Sequence, residues 1–228
     1  MGPMGRPDAT KDRLIRAAEE LFAERGVEAV SLREIGRAAG ARNIAAAQYH
    51  FGDRAGLVAA ILQKHIPGTS ARRHALLDDY EARGSVDQRE LVGALVRPLA
   101  AKLSDEDGGG HYLRIYAELV NRPSGLGVPL VEGPRNSLER WARLIEPSLG
   151  ADGDVFQRRF LAVRITASEL GRRARVRPDA DQRLFVEHLV DAVRGLLLAP
   201  AADITADLAN RRRRRPGRSA FPPSDREL

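Results

Sequence analysis

An all-α fold, with a small three-helix unit at the N-terminus and a larger helical bundle behind it, is what this sequence predicts. Three observations lead there. Aromatics make up only 5% of the 228 residues, alanine and leucine are abundant and β-branched runs are few, a composition that favours helix. Apolar residues recur at helical rather than alternating spacing. Glycine and proline fall between the periodic segments, where a chain must turn.

The first element covers Thr10 to Arg25. Leu14, Ile15, Ala18, Leu21 and Phe22 make one stripe, with Arg16, Glu19, Glu20 and Glu24 placed mostly off it. Gly26 suits the left-handed position after a helix end, and Val27 and Val30 can close over the stripe. Ser31 and Glu34 have capping-box spacing. Leu32, Ile35 and Ala39 face inward on the helix that follows, and Gly40 sits where a tight turn uses positive φ. Asn43 is placed to cap a third helix over roughly residues 43–50. Gly52 breaks the chain, and Asp53 caps a longer helix carrying Leu57, Val58, Ile61 and Leu62, up to about Pro67.

Behind this unit the spacing predicts a weak or broken helix over Ser70 to Glu81 and a long one over Val86 to Leu103, kinked or bounded at Pro98. The acidic, triple-glycine stretch Asp105 to Gly110 reads as a loop. Tyr112 to Val120, Pro129 to Leu144, Val155 to Leu170 and Ala180 to Leu198 read as helices, with a turn at Pro147 to Gly153. A basic connector, Arg172 to Pro178, separates the last two, and a short helix covers Ala202 to Asn210. The expected boundaries are 7–52 for the three-helix unit, 53–210 for the bundle and 211–228 for a disordered basic tail.

The formal charge is +6, but residues 211–228 hold seven arginines against two acidic residues. The remaining 210 residues carry 30 basic and 29 acidic groups, so the high pI belongs mostly to the tail. There is no cysteine, which excludes disulfides, thiolate metal sites and cysteine nucleophiles. No apolar leader and no run near 18 apolar residues is seen, so a cytoplasmic protein outside the membrane is expected. The five histidines are scattered, with no His-Glu-x-x-His pattern, and the one triple glycine lies in acidic surroundings unsuited to phosphate. No metal, no cofactor and no catalysis are expected.

Residues 31–57 instead suit a helix that enters the major groove of double-stranded DNA, braced by a second helix. The groove is about 12 Å wide and demands a slim helix, which Ala45, Ala46 and Ala47 provide. Arg42, Asn43 and Gln48 are polar candidates for base edges, since Arg pairs with guanine and Asn or Gln with adenine. Tyr49 and His50, at the helix end, suit phosphate contacts that position without reading sequence. The free amides near Ser31 can receive another phosphate. Phe51 reads as a packing residue.

Four motifs over residues 10–64 carry a family resemblance: Leu21 to Gly26, Ser31 to Ile35, Ala38 to Gly40, and Tyr49 to Leu57. In their order and density they resemble the N-terminal domain of the tetracycline-repressor (TetR) family. The resemblance implies an all-helical homodimer with a C-terminal ligand-binding and dimerisation bundle. It implies repression of transcription, relieved when a small molecule binds. It implies that Tyr49 and His50 are a phosphate-contacting pair, that Arg42, Asn43, Ala46 and Gln48 lie in the operator-reading segment, and that Lys11 lies near the DNA backbone. Gly40 to Tyr49 is one residue longer than the family's commonest form. The resemblance fades after about residue 65, where the last two long helices look like the pair that meets across a twofold axis, through a face including Phe156, Phe160, Val163, Phe185, Leu189 and Val193. An effector pocket among the central helices would have Tyr112, Tyr116, Leu119, Trp141 and Phe160 as walls, with His111 or Glu118 for polarity. The competing reading is a non-sensing or transcription-activating DNA-binding helical protein.

Overall fold

The computed structural model describes residues 6–41, 43, 45–122, 136–149, 157–176 and 181–213. Among them it is all-helical. The N-terminal unit comprises α1 (Arg6–Arg25), α2 (Leu32–Ala38) and α3 (Ala46–Phe51). The body comprises α4 (Arg54–Ala82), α5 (Gln88–Ala100), α6 (Gly109–Asn121), α7 (Ser137–Ile145), α8 (Arg158–Val176), α9 (Arg183–Leu198) and α10 (Asp203–Arg213), with short 3-10 turns after α5 and α7.

The α1 stripe is buried as its spacing requires: Leu14, Ile15, Ala18 and Phe22 are all in the core, and Val27 and Val30 close over them. Gly26 and Gly40 both take positive φ, as expected of their turns. Glu19 departs from expectation. Helical spacing puts it off the stripe, yet it is only 1% exposed.

The capping box at Ser31 forms in full. Ser31 Oγ accepts from the Glu34 amide at 3.3 Å, and the Ser31 amide donates to Glu34 Oε2 at 2.9 Å. Arg25 adds a bond to Glu34 Oε1 at 2.9 Å. The Ser31 amide and hydroxyl, followed by Arg25, hold the Glu34 carboxyl down to about 2. A depressed folded value means that the cap's contribution is complete above the ordinary carboxylate range and is lost as pH falls from there toward 2. In an NMR titration the Glu34 side-chain signal should move below pH 3 in the parent chain and nearer the ordinary value in Ser31→Ala. An ordinary midpoint in the parent would refute the box.

Two prolines expected to bound or kink helices lie inside them. Pro67 lies inside α4, which runs unbroken for 29 residues, so Ser70 to Glu81 is a continuation of one long helix rather than a weak separate one. Pro67 is exposed, and the Gln63 carbonyl that loses its usual donor is on the solvent side. Pro98 is buried inside α5 and deprives the Ala94 carbonyl of the amide that would bond to it. Arg73 Nε, from α4, supplies that bond at 3.2 Å, and Arg73 Nη1 donates to Ser137 Oγ on α7 at 2.7 Å. A buried guanidinium thus repairs the helix that a buried proline interrupts.

Other boundaries shift too. The α8 helix runs through Val176, so most of the basic connector at 172–178 is helical, and α10 continues through Arg213 into the arginine run. Residues 129–135, 150–156, 177–180 and 214–228 lie outside the described residues, and with them parts of the expected helices, the rest of the turn after Pro147 and most of the tail. The α6 helix pairs antiparallel with α8, as Asn121 bonds Ser168 at 2.9 Å while Gly171 faces Ala117 and Leu113. The α9 helix is stapled to α5 by Arg89 and Arg97, which share the Glu187 carboxylate. Both guanidiniums hold that carboxyl below its ordinary range.

Candidate nucleic-acid interface

The turn between α2 and α3 is set by side-chain chemistry. Asn43 Oδ1 accepts from the Ala45 amide at 2.9 Å, and the Asn43 carbonyl accepts from the Ala46 amide at 2.9 Å. This local Asx bond competes with helix, so α3 starts at Ala46 rather than near residue 43, and Asn43 stands two residues ahead of the cap position. Gly52 ends the helix with φ at +74°, and Asp53 then caps α4 by accepting from the Gly56 amide at 2.8 Å.

The short α3 helix has two faces. Ala47 is fully buried, and Ala46 and Phe51 pack partly against the same core. Phe51 is therefore the packing residue expected. Ala46, expected at the reading surface, is half-buried against the brace. Gln48 is exposed, and Tyr49 is 84% exposed, with its ring edge-on to His50 at 5.3 Å between centroids. Nothing in the chain's own fold calls for so exposed a tyrosine. Arg42 lies outside the described residues. Asn43 is exposed, but its carboxamide oxygen is already engaged by Ala45, so bidentate pairing with adenine would share that oxygen.

Ser31 is exposed at the start of α2, with its hydroxyl committed to Glu34 at 2.8 Å. A phosphate there would meet the first free amides of α2 rather than the hydroxyl. Lys11 is exposed on α1.

Two cations escape the sequence reading. Arg33 and Arg37 lie four residues apart on α2, opposite buried Ile35 and Gly36, and both are exposed with no ion pair among the described residues. By contrast Arg25 is tied to Glu34, and Arg54 to Glu28 and the Val30 carbonyl. A signal for them exists in the sequence: once apolar Leu32 and Ile35 fix the inner face of α2, its outer face is basic. The outer face of α2 thereby presents unpaired positive charge, which suits duplex phosphates.

The expected effector residues are not brought together as a set. Tyr112, Tyr116 and Leu119 are buried along α6, and Tyr112 stacks between His65 of α4 and Tyr116, at centroid distances of 4.5 and 5.6 Å. Trp141 is buried on α7, where its Nε1 donates to the Leu91 carbonyl of α5 at 2.9 Å. Phe160 is 46% exposed on α8 and is no wall of the Tyr112–Tyr116 cluster. Glu118 is engaged elsewhere, accepting from the Val27 amide at 3.1 Å and pairing with Arg122 at 2.6 Å. His111 lines a cavity of about 450 Å³ between α1 and the segment leading into α6, together with Arg16, Glu19, Glu20, Glu106 and Asp107. On the expected dimer face, Leu189 and Val193 are buried in the chain's own core, Val163 and Phe185 are half-buried, and Phe156 lies outside the described residues.

Among the described residues no helix is long and apolar enough to cross a membrane, and no group of three or more acidic, histidine or cysteine side chains could hold a metal ion.

Part of the chain is similar to known proteins. The family model described as bacterial regulatory proteins, tetR family, matches residues 14–61, from within α1 to the first two turns of α4. No curated protein matches the sequence. Among solved structures, the chain is similar to the HlyIIR protein, in a form with residues 170–185 replaced by alanine. The identity is 17% and the TM-score 0.50, over 87% of this chain and 100% of that one. It is also similar to the regulator PfmR from Thermus thermophilus, at 23% identity and a TM-score of 0.49 over 84% and 97% of the two chains. For NalD of Pseudomonas aeruginosa, titled the secondary repressor of a multidrug efflux pump, the figures are 22% and 0.46 over 85% and 99%. The HlyIIR likeness concerns the fold alone. The segment that the tetR family model matches forms the three-helix unit whose exposed side chains include Tyr49, Arg33 and Arg37, so this N-terminal part of the chain is similar to bacterial regulatory proteins of the tetR family.

Proposed function

We propose that the protein is a homodimeric, cytoplasmic repressor that reads a near-palindromic operator and releases it when a small molecule binds the body. The observation that carries the DNA contact is the exposed Tyr49 at the end of α3, beside His50, together with the exposed Arg33 and Arg37 on α2, the helix packed against α3. Tyr49 and His50 position the unit on phosphate oxygens; Gln48, Asn43 and Arg42 read bases; Lys11 and the α2 amides near Ser31 add backbone contacts.

Exposed apolar side chains on α8 and α9 support dimerisation. Leu184 is 83% exposed, Phe160 46% and Leu161 42%. Large apolar groups on two neighbouring helices favour a self-complementary partner surface. The twofold axis would set two recognition helices about one duplex turn apart. The effector reading is supported by the aromatic stack of Tyr112 and Tyr116 inside the body.

Selection of bound fragments from random duplex DNA by the purified protein tests the proposal. The expected product is an inverted repeat bound by two chains in sedimentation. A compound that changes Trp141 fluorescence and lowers affinity for that duplex supports the sensor. An asymmetric site bound by one chain would overturn the dimeric reading.

A further inference from the structure

Glu19 belongs to α1 and so to the DNA-binding unit, but none of its side-chain partners does. It is 1% exposed. Its Oε1 meets His65 Nε2 at 2.7 Å, and its Oε2 meets Lys64 Nζ at 3.0 Å, both on α4. His65 is itself 1% exposed. A carboxylate only accepts, so His65 Nε2 is the donor of that bond, while its Nδ1 has no partner among the described residues. Its other face lies on the Tyr112 ring of α6. Lys64 also pairs with Asp107 at 3.2 Å, just ahead of α6, and Asp107 lies 3.6 Å from Arg16 of α1.

The same carboxylate accounts for the first glycine of the Gly108–Gly110 run, which has no phosphate to hold. Gly108 caps α6 with φ at +84°, and a Cβ there would stand 2.4 Å from Glu19 Oε2. Only glycine fits both the backbone angle and the space. At the opposite end of α6, Glu118 holds the Val27 amide, and Arg122 pairs with Glu28 at 2.9 Å. The α6 helix is thus pinned at both ends to the DNA-binding unit, with the buried anchor at Glu19.

We infer that Glu19 is a positioning residue for DNA recognition, a buried latch that sets the angle of the DNA-binding unit on the body. A buried carboxylate stripped of its partners is costly. The unit therefore cannot rotate on α4 and α6 without breaking Glu19 away from His65, Lys64 and the start of α6. In a dimer this fixes the separation of the two recognition helices. Specific binding needs that separation, whereas nonspecific attraction to phosphate does not. The inference rests on the dimeric reading above.

The test uses the full chain, the duplex selected by the parent protein, and a scrambled duplex of the same length and composition. Glu19→Gln keeps the shape and removes the charge. It should weaken binding to the selected duplex about tenfold, within the usual range of coupling between sites. Affinity for the scrambled duplex should stay within about twofold, as befits binding by phosphate attraction alone. Gly108→Ala, which drives the carboxylate out of its seat, should do the same, and the double variant should be no worse than either single one, since both release the same latch. If Gly108→Ala fails to fold, Glu19→Gln decides. Unchanged affinity for the selected duplex, or an equal loss on both duplexes, overturns the latch. A parent chain that binds the selected duplex as a monomer overturns the dimeric reading and the latch with it, whereas a dimer whose Glu19→Gln variant matches the parent overturns the latch alone.

Discussion

Phe22→Ala is expected to destabilise the protein by about 3–5 kcal/mol, the usual cost of emptying a core aromatic site. Phe22 is 1% exposed on α1, the helix that touches α2, α3, α4 and α6, so the cavity lies where the DNA-binding unit and the body share one core. Relaxation into the cavity is limited because Val27 and Val30 already close over it at 1% exposure. In a chain of this size the loss corresponds to a melting shift of roughly 2–4 °C per kcal/mol. Far-UV ellipticity and Trp141 fluorescence should fall together, although Trp141 lies on α7. A loss under about 1 kcal/mol, typical of surface changes, would show that Phe22 is not a core anchor. Separate transitions would show that the unit and the body do not melt as one.

Tyr49→Ala should leave stability nearly unchanged, because the side chain is 84% exposed. Its expected effect is on DNA. A hydrogen bond to a charged group is worth about 1.5–3 kcal/mol, so affinity should fall roughly tenfold or more, equally on operator and unrelated duplex. The hydroxyl is neutral and releases no counterion, so the salt dependence should keep its slope. Arg33→Ala provides the opposite case: it should flatten the slope of log affinity against log salt by about 0.9 for each phosphate no longer neutralised. A Tyr49→Ala variant with parental affinity at fixed salt would remove this residue from the interface. An unchanged slope in Arg33→Ala would remove the arginine.

The architecture is legible in the sequence wherever a local rule has no competitor. Ser31 and Glu34 lie three residues apart, and the box they form depends on little else. The stripe of α1 and the caps at Gly26, Gly40 and Asp53 are of the same kind. What stays hidden depends on distant partners. Glu19 reads as a surface acid until Lys64 and His65 meet it across 45 and 46 residues. Pro98 reads as a break until Arg73 supplies the missing donor from another helix. The start of α3 falls later than expected because Asn43 bonds its own backbone two residues on, which helical spacing alone does not reveal. In the interface, the aromatic end of α3 can be found from sequence, while Arg33 and Arg37 need the knowledge of which other arginines are already paired. The effector set is least legible, because a buried aromatic at helical spacing looks alike whether it lines a pocket or fills a core. Trp141 and Phe160 fall away from the Tyr112–Tyr116 stack for that reason.

The bond from Arg73 to the Ala94 carbonyl also restricts how this chain can diverge. While residue 98 is proline, losing the arginine leaves a buried carbonyl unpaired, and the lineage carrying that change is handicapped. Once residue 98 regains a backbone N–H, the helix bonds itself and one of the arginine's tasks disappears. Drift at these two positions, on separate helices and 25 residues apart, is therefore ordered in time: the proline must go first.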